Sequence, residues 1–186
     1  LPLDIIRFID SFLYFKLNNE NIKEAVELWI YNKEECLLLY GHISYWNTSK
    51  ITNMNSLIDG EVSYDDDISR WNVNNVRNMN GLFSESLTFN QDISNWDVSN
   101  VNDMGGMFYR AIKFNCDLSR WNVSNVKDMS WMFTGAVNFN SNLSEWDVSN
   151  VTYMTYMFYE AKIFNCDLSR WNVSNVTNMQ SMFQDA

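Results

Sequence analysis

The chain has 186 residues, a formal net charge of −10, 46% hydrophobic and 16% aromatic residues, 6 Gly and 1 Pro. That apolar content excludes a disordered tract, and the acidity sets the chain against phosphate backbones and anionic lipid surfaces, so no nucleic-acid partner is expected. No apolar run approaches the ~18 residues that mark a membrane span, so none is expected.

Residues 1–40 carry no repeat. Leu3, Ile6, Ile9, Leu13 and Leu17 recur at helical spacing behind Pro2, and Ile22, Val26, Trp29 and Ile30 mark a second helix that Asn19 or Asn21 can cap. The expectation is a helical cap over 1–40, covering the first unit of an array that fills 41–186. The opening Leu1-Pro2-Leu3-Asp4-Ile5-Ile6, with Ile9 and Phe12, also resembles the start of an F-box. That resemblance implies an alternative role as a substrate adaptor for a ubiquitin ligase.

From residue 41 the chain repeats. Trp46, Trp71, Trp96, Trp121, Trp146 and Trp171 fall 25 residues apart. Ladders of Val (Val98, Val101), Met (Met104) and Phe (Phe108, Phe114) recur with the same period, as in the unit from Ile93 to Asp117. A fixed period of this size signals stacked copies of one unit. Trp96 and Val98 alternate with polar residues, which predicts a short strand. Val101, Met104, Phe108 and Ala111 follow at spacings of three, four and three, which predicts one face of a short helix. The expected fold is therefore an α/β repeat solenoid. It would have short parallel strands on one face, short helices on the other, and about six units, the last incomplete at Ala186.

The offsets of Ile93, Trp96, Val98 and Val101 resemble the core of leucine-rich repeats. More closely, the string from Phe89-Asn90 through Trp96-Asp97-Val98-Ser99-Asn100-Val101 to Met107-Phe108 and Ala111 resembles BspA-like, mycoplasma-type surface-protein repeats, also found in protists and large DNA viruses. The resemblance implies a leucine-rich-repeat-like scaffold used for binding, and it brings no catalytic residues.

The residues favour a non-enzymatic protein-binding scaffold. His42 is the single histidine and has no nucleophile marked out beside it, no phosphate-cradling Gly loop or metal-ligand cluster is evident, and no cofactor is expected. Asp67, Asp92, Asp117 and Asp167 stack with Asn142 in a row, and a turn role is favoured over calcium binding. The row Arg70, Asn95, Arg120, Glu145 and Arg170, at the strand surface, is the expected partner stripe. Trp131 and Tyr156 share one unit position on the helix side and form a second expected contact patch. Ala186 leaves the last unit without its return loop, which suggests a homodimer through that end. Cys36, Cys116 and Cys166 form no evident disulfide framework, so reduced thiols and an intracellular setting are favoured over a cell-surface or secreted one.

Overall fold

A computed structural model of the chain describes residues 15–186. The F-box-like start and the apolar series from Leu3 to Leu13 lie outside the described residues. Two helices follow, α1 (Ile22–Tyr31) and α2 (Lys33–Leu39), then a 3-10 turn over Ile43–Tyr45. α1 buries Ile22, Ala25, Val26 and Trp29, the stripe that seats an amphipathic helix on a core. Asn32 both ends α1 and starts α2. Its side-chain oxygen accepts the Glu35 amide at 3.4 Å, capping one orphan group of α2, and its side-chain nitrogen donates to Glu35 Oε2 at 2.7 Å.

The expected α/β repeat solenoid does not form. Beyond Tyr45, the described residues contain no helix and no strand. Trp96-Asp97-Val98, read as a strand, is irregular backbone between two tight turns. These are closed by Trp96 N–H to Ile93 O at 3.0 Å and Val101 N–H to Val98 O at 2.9 Å. The alternation of buried and exposed residues comes from those turns and not from a pleat.

Val101, Met104, Phe108 and Ala111, read as a helix face, are all fully buried, but turns bury them. The amides of Met107, Tyr109 and Ala111 bond back three residues, to Met104, Gly106 and Phe108. Those of Met104, Gly106, Phe108 and Arg110 leave the coil and donate to Asp128, Ser130, Met132 and Thr134 of the next one, at 2.7–3.0 Å. An α-helix would return every amide to residue i−4. Left-handed backbone at Gly106 (φ 58°) and Arg110 (φ 54°) halts right-handed winding. The segment Met104-Gly105-Gly106-Met107 also has little helix propensity to resist that outcome. Among the described residues, β pairing outside strands is a string of single-residue parallel bridges, Asn53–Asn78–Asp103–Asp128–Tyr153–Asn178. The leucine-rich-repeat likeness, carried by the offsets of Ile93, Trp96, Val98 and Val101, goes with such a strand and helix, and neither is present among the described residues of the coils.

What forms is a pile of turn-built coils, each 25 residues long, held by side chains as much as by backbone. The Trp121 indole N–H donates to Ile93 O of the preceding coil at 3.1 Å, and Trp71, Trp96, Trp146 and Trp171 do the same at 2.9–3.3 Å. Asn125 Nδ2 reaches back to Ser99 O at 2.7 Å, with Asn75, Asn100, Asn150 and Asn175 equivalent. Asn115 Oδ1 reaches forward and accepts the Asn140 amide at 2.8 Å. Inside, Phe108 stacks closely on Phe114 of its own coil at 3.8 Å and on Phe133 of the next at 5.6 Å, the latter within the range of the offset stacks aromatic rings favour.

The helical segment meets the first coil by imitating another coil. In later coils, the Arg77 and Asn102 amides donate to the preceding coil's carbonyls, Thr52 O and Arg77 O, at 2.8 Å. The equivalent Thr52 amide instead donates to Asn19 Oδ1 at 2.9 Å. Trp29 packs edge-on against Trp46 at 6.3 Å and donates to Asp66 at 2.9 Å.

The indole bond separates from the indole volume. Trp121→Phe keeps an aromatic ring but removes the second of two hydrogen bonds to the buried Ile93 carbonyl, which keeps the one from the Trp96 amide, so we expect a loss of about 0.5–1.5 kcal/mol in urea unfolding. A loss well under that range would show that the ring alone does the holding.

Candidate functional site

The expected partner row lies on the surface. Arg70, Asn95, Arg120, Glu145 and Arg170 are all exposed. They fall beside the turn that precedes each buried tryptophan, so the coil repeats set them at one register position. Arg170 pairs with Glu145 at 2.7 Å, with both side chains about two-thirds or more exposed (74% and 68%). The Arg70 guanidinium lies 5.5 Å from the Tyr45 ring centre. Asn95 and Arg120 have no side-chain hydrogen bond among the described residues. Glu145 and Arg170 also line a shallow cleft of about 220 Å³ with Trp146, Asp147, Val148 and Asn172. Asp147 and Asn172 are surface polar residues, and sequence alone does not place them in a cleft with the ion pair.

Trp131 and Tyr156 sit in the ladder segment of consecutive coils, with ring centres 6.2 Å apart and planes at 52°. Trp131 is 51% exposed, and Tyr156 is half-buried. The turn-built segment carries them, where a helix was expected. They and the arginine row occupy different stretches of the coil, separated by the buried Val123, Val126 and Met129.

Most other polar repeat residues have a main-chain task. Asp92 Oδ1 accepts the Ser94 amide at 3.0 Å, and Asp67, Asp117 and Asp167 accept those of Ser69, Ser119 and Ser169 at 2.9 Å. Asp147 does so for Ser149 at 3.0 Å, and the Asn members Asn72, Asn122 and Asn172 use an amide oxygen in the same way. These are Asx turns. Side-chain hydrogen bonds from Ser69, Ser94 and Ser149 hold Asp67, Asp92 and Asp147 below the usual carboxylate range, and backbone bonds from Ser119 and Ser169 do so for Asp117 and Asp167. No group of three or more His, Cys, Asp or Glu among the described residues is placed to hold a metal.

Two buried features stand apart. Tyr64 occupies the repeat position held by Phe89, Phe114 and Phe139, and its hydroxyl is buried with no partner. Burial, aided by Asp66, Asp65 and Asp67, pushes that phenol well above its ordinary value. The sequence shows the swap from Phe to Tyr but not the burial that makes it costly. Burial likewise pushes the Cys36 thiol up to about 11 and raises that of Cys116, so neither supplies a thiolate near neutral pH. No helix among the described residues is long and apolar enough to cross a membrane.

A family model described as "Mycoplasma protein of unknown function, DUF285" matches residues 30–135 and again 113–186. No curated protein and no solved structure matches the chain.

Two outcomes follow from these groups. Tyr64→Phe removes an orphaned hydroxyl without changing the ring, so stability should rise by about 1 kcal/mol or more, read as a shift in urea midpoint; a loss would mean the hydroxyl is satisfied in solution. The Asx-turn carboxylates have folded pKa values below their unfolded ones. Their stabilisation is therefore fully present above the ordinary aspartate value of about 3.9 and is lost as pH falls through the lower folded values. Melting temperature should hold from neutrality to about pH 5 and drop steadily below about pH 4. Because hydrogen bonds cause most of the shift, added salt should move that drop little.

Proposed function

This chain belongs to the family described as Mycoplasma protein of unknown function, DUF285, and from that premise we propose that it is a non-enzymatic scaffold for binding another protein. The observation that carries this reading is the row Arg70, Asn95, Arg120, Glu145 and Arg170. Around it, the repeat holds Trp and Asn nearly constant because those side chains bond to main chain of adjacent coils. The row itself changes between Arg, Asn and Glu, is exposed throughout, and makes no bond to another coil's backbone. Side chains without a structural task, presented at fixed pitch on a rigid support, suit recognition of a partner surface. We place the chain inside a cell on the strength of its three free thiols.

The scaffold reading is checked by affinity capture with the intact chain, compared with the double variant Arg120→Glu and Arg170→Glu. We expect a captured protein to be lost from the variant while unfolding free energy stays within about 0.5 kcal/mol. A partner retained at full strength would show that the row is not the contact.

A further inference from the structure

The ladder segment demands left-handed backbone twice per coil. At the first of these positions φ is positive for Ser56, Gly81, Gly106, Trp131, Tyr156 and Ser181. Glycine adopts that conformation without penalty, whereas a bulky side chain there is a steric outlier. Two consecutive coils nevertheless place a Trp (φ 60°) and a Tyr (φ 56°) at it. Packing does not require them, since Trp131 is 51% exposed and the coils of Gly81 and Gly106 close with no side chain at that position. Backbone strain kept at an exposed position points to a task at the surface.

The rings form a ridge. Trp131 meets Tyr156 as described, and Tyr156 meets Tyr159 edge-on at 5.6 Å. On the Trp131 side, the neighbouring coil offers Gly105-Gly106, so no side chain from its own repeat position covers the indole. Elsewhere the chain covers rings with its own cations: Lys33 over Trp29 at 4.1 Å, Arg70 over Tyr45 at 5.5 Å and Arg110 over Tyr109 at 5.8 Å. Among the described residues no cation lies over Trp131, Tyr156 or Tyr159. Two cations of the adjoining coils are already engaged, Arg110 with Glu85 at 3.5 Å and Lys162 with the Asp185 carbonyl at 2.7 Å. The charges of Glu160 and Asp185 raise the Tyr159 phenol, which marks the local potential as negative.

We propose that the Trp131–Tyr156–Tyr159 ridge docks a lysine- or arginine-bearing segment of a partner protein, whose cationic groups sit on the ring faces near Glu160. Bare rings beside carboxylates on an acidic chain, three of whose rings already carry a cation, favour a cation over a neutral sugar. The inference rests on the scaffold reading and adds a surface separate from the arginine row.

The test uses the full chain labelled with 5-fluorotryptophan and titrated with hexalysine, hexaglutamate and cellotetraose. The Trp131 fluorine signal is identified as the one missing from Trp131→Gly. Hexalysine is expected to shift that signal, and hexaglutamate and cellotetraose are not. Trp131→Gly and Tyr156→Gly should each weaken hexalysine binding by roughly fivefold or more in calorimetry, and Glu160→Gln should weaken it by less. Both glycine variants should melt at or above the wild-type temperature, because glycine relieves the left-handed strain. No shift with hexalysine, undiminished binding by Trp131→Gly, a marked fall in its melting temperature, or a shift with cellotetraose alone would each overturn the proposal. A captured protein lost from the arginine-row variant but retained by Trp131→Gly would overturn this proposal and leave the scaffold reading standing. Capture of no protein by the wild type would count against the scaffold reading, while a Trp131-dependent hexalysine shift would still support the ridge.

Discussion

The indole N–H of Trp71, Trp96, Trp121, Trp146 and Trp171, each bonded to a carbonyl 28 residues earlier, is the contact on which the coils depend. Turn-built backbone has few hydrogen bonds of its own. Each coil closes small loops between residues three apart and sends about half its ladder amides onward. The carbonyl it reaches already accepts its own coil's turn amide, as Ile93 O does from Trp96, and the indole adds a second donor from the next coil while filling the core beside Phe and Met side chains. One residue thus satisfies a backbone group and a volume at once, and Leu or Phe would satisfy only the second. The Asn residues that reach back at Asn125 and forward at Asn115 do the same work at the surface. The period is strictest at the Trp and Asn positions that serve two coils.

The positions released from that duty lie at the surface. Arg120 and its equivalents follow the Asx turn and point away from any neighbour's backbone, so their chemistry changes freely between coils. Trp131 and Tyr156 are different, because the backbone under them is strained and the coils beside them show that glycine suffices. Freedom in the first case and tolerated strain in the second are separate physical arguments for surface function, and neither requires a pocket.

Much of the packing was legible in the sequence. The buried ladders of Ile93, Trp96, Val101, Met104 and Phe108 could be read directly from their recurrence, because burial in a repeat is a pattern in residue type. The geometry that achieves it was not. A three-four-three spacing is satisfied by a helix and also by chained turns, and only the destination of the Met104, Gly106 and Phe108 amides separates the two. The clue lay in Gly81, Gly106 and Gly135, which mark left-handed backbone that a helix interior would not tolerate. It was obscured because Trp131, Tyr156 and Arg110 adopt the same conformation without being glycine. The candidate surface residues were visible as variation within a strict unit. The cleft joining Glu145, Arg170, Asp147 and Asn172 depends on adjacent coils meeting, and no single unit records that.

The ladder amides that leave a coil share one direction. Those of Met104, Gly106, Phe108 and Arg110 donate to the following coil, and the carbonyls of Asp103 and Gly105 accept from the preceding one. The amides of Arg77, Asn102, Lys127, Thr152 and Thr177 and the repeat indoles donate the other way. Each coil therefore has two unlike faces, and their donors and acceptors match only when the next coil stacks in the same orientation.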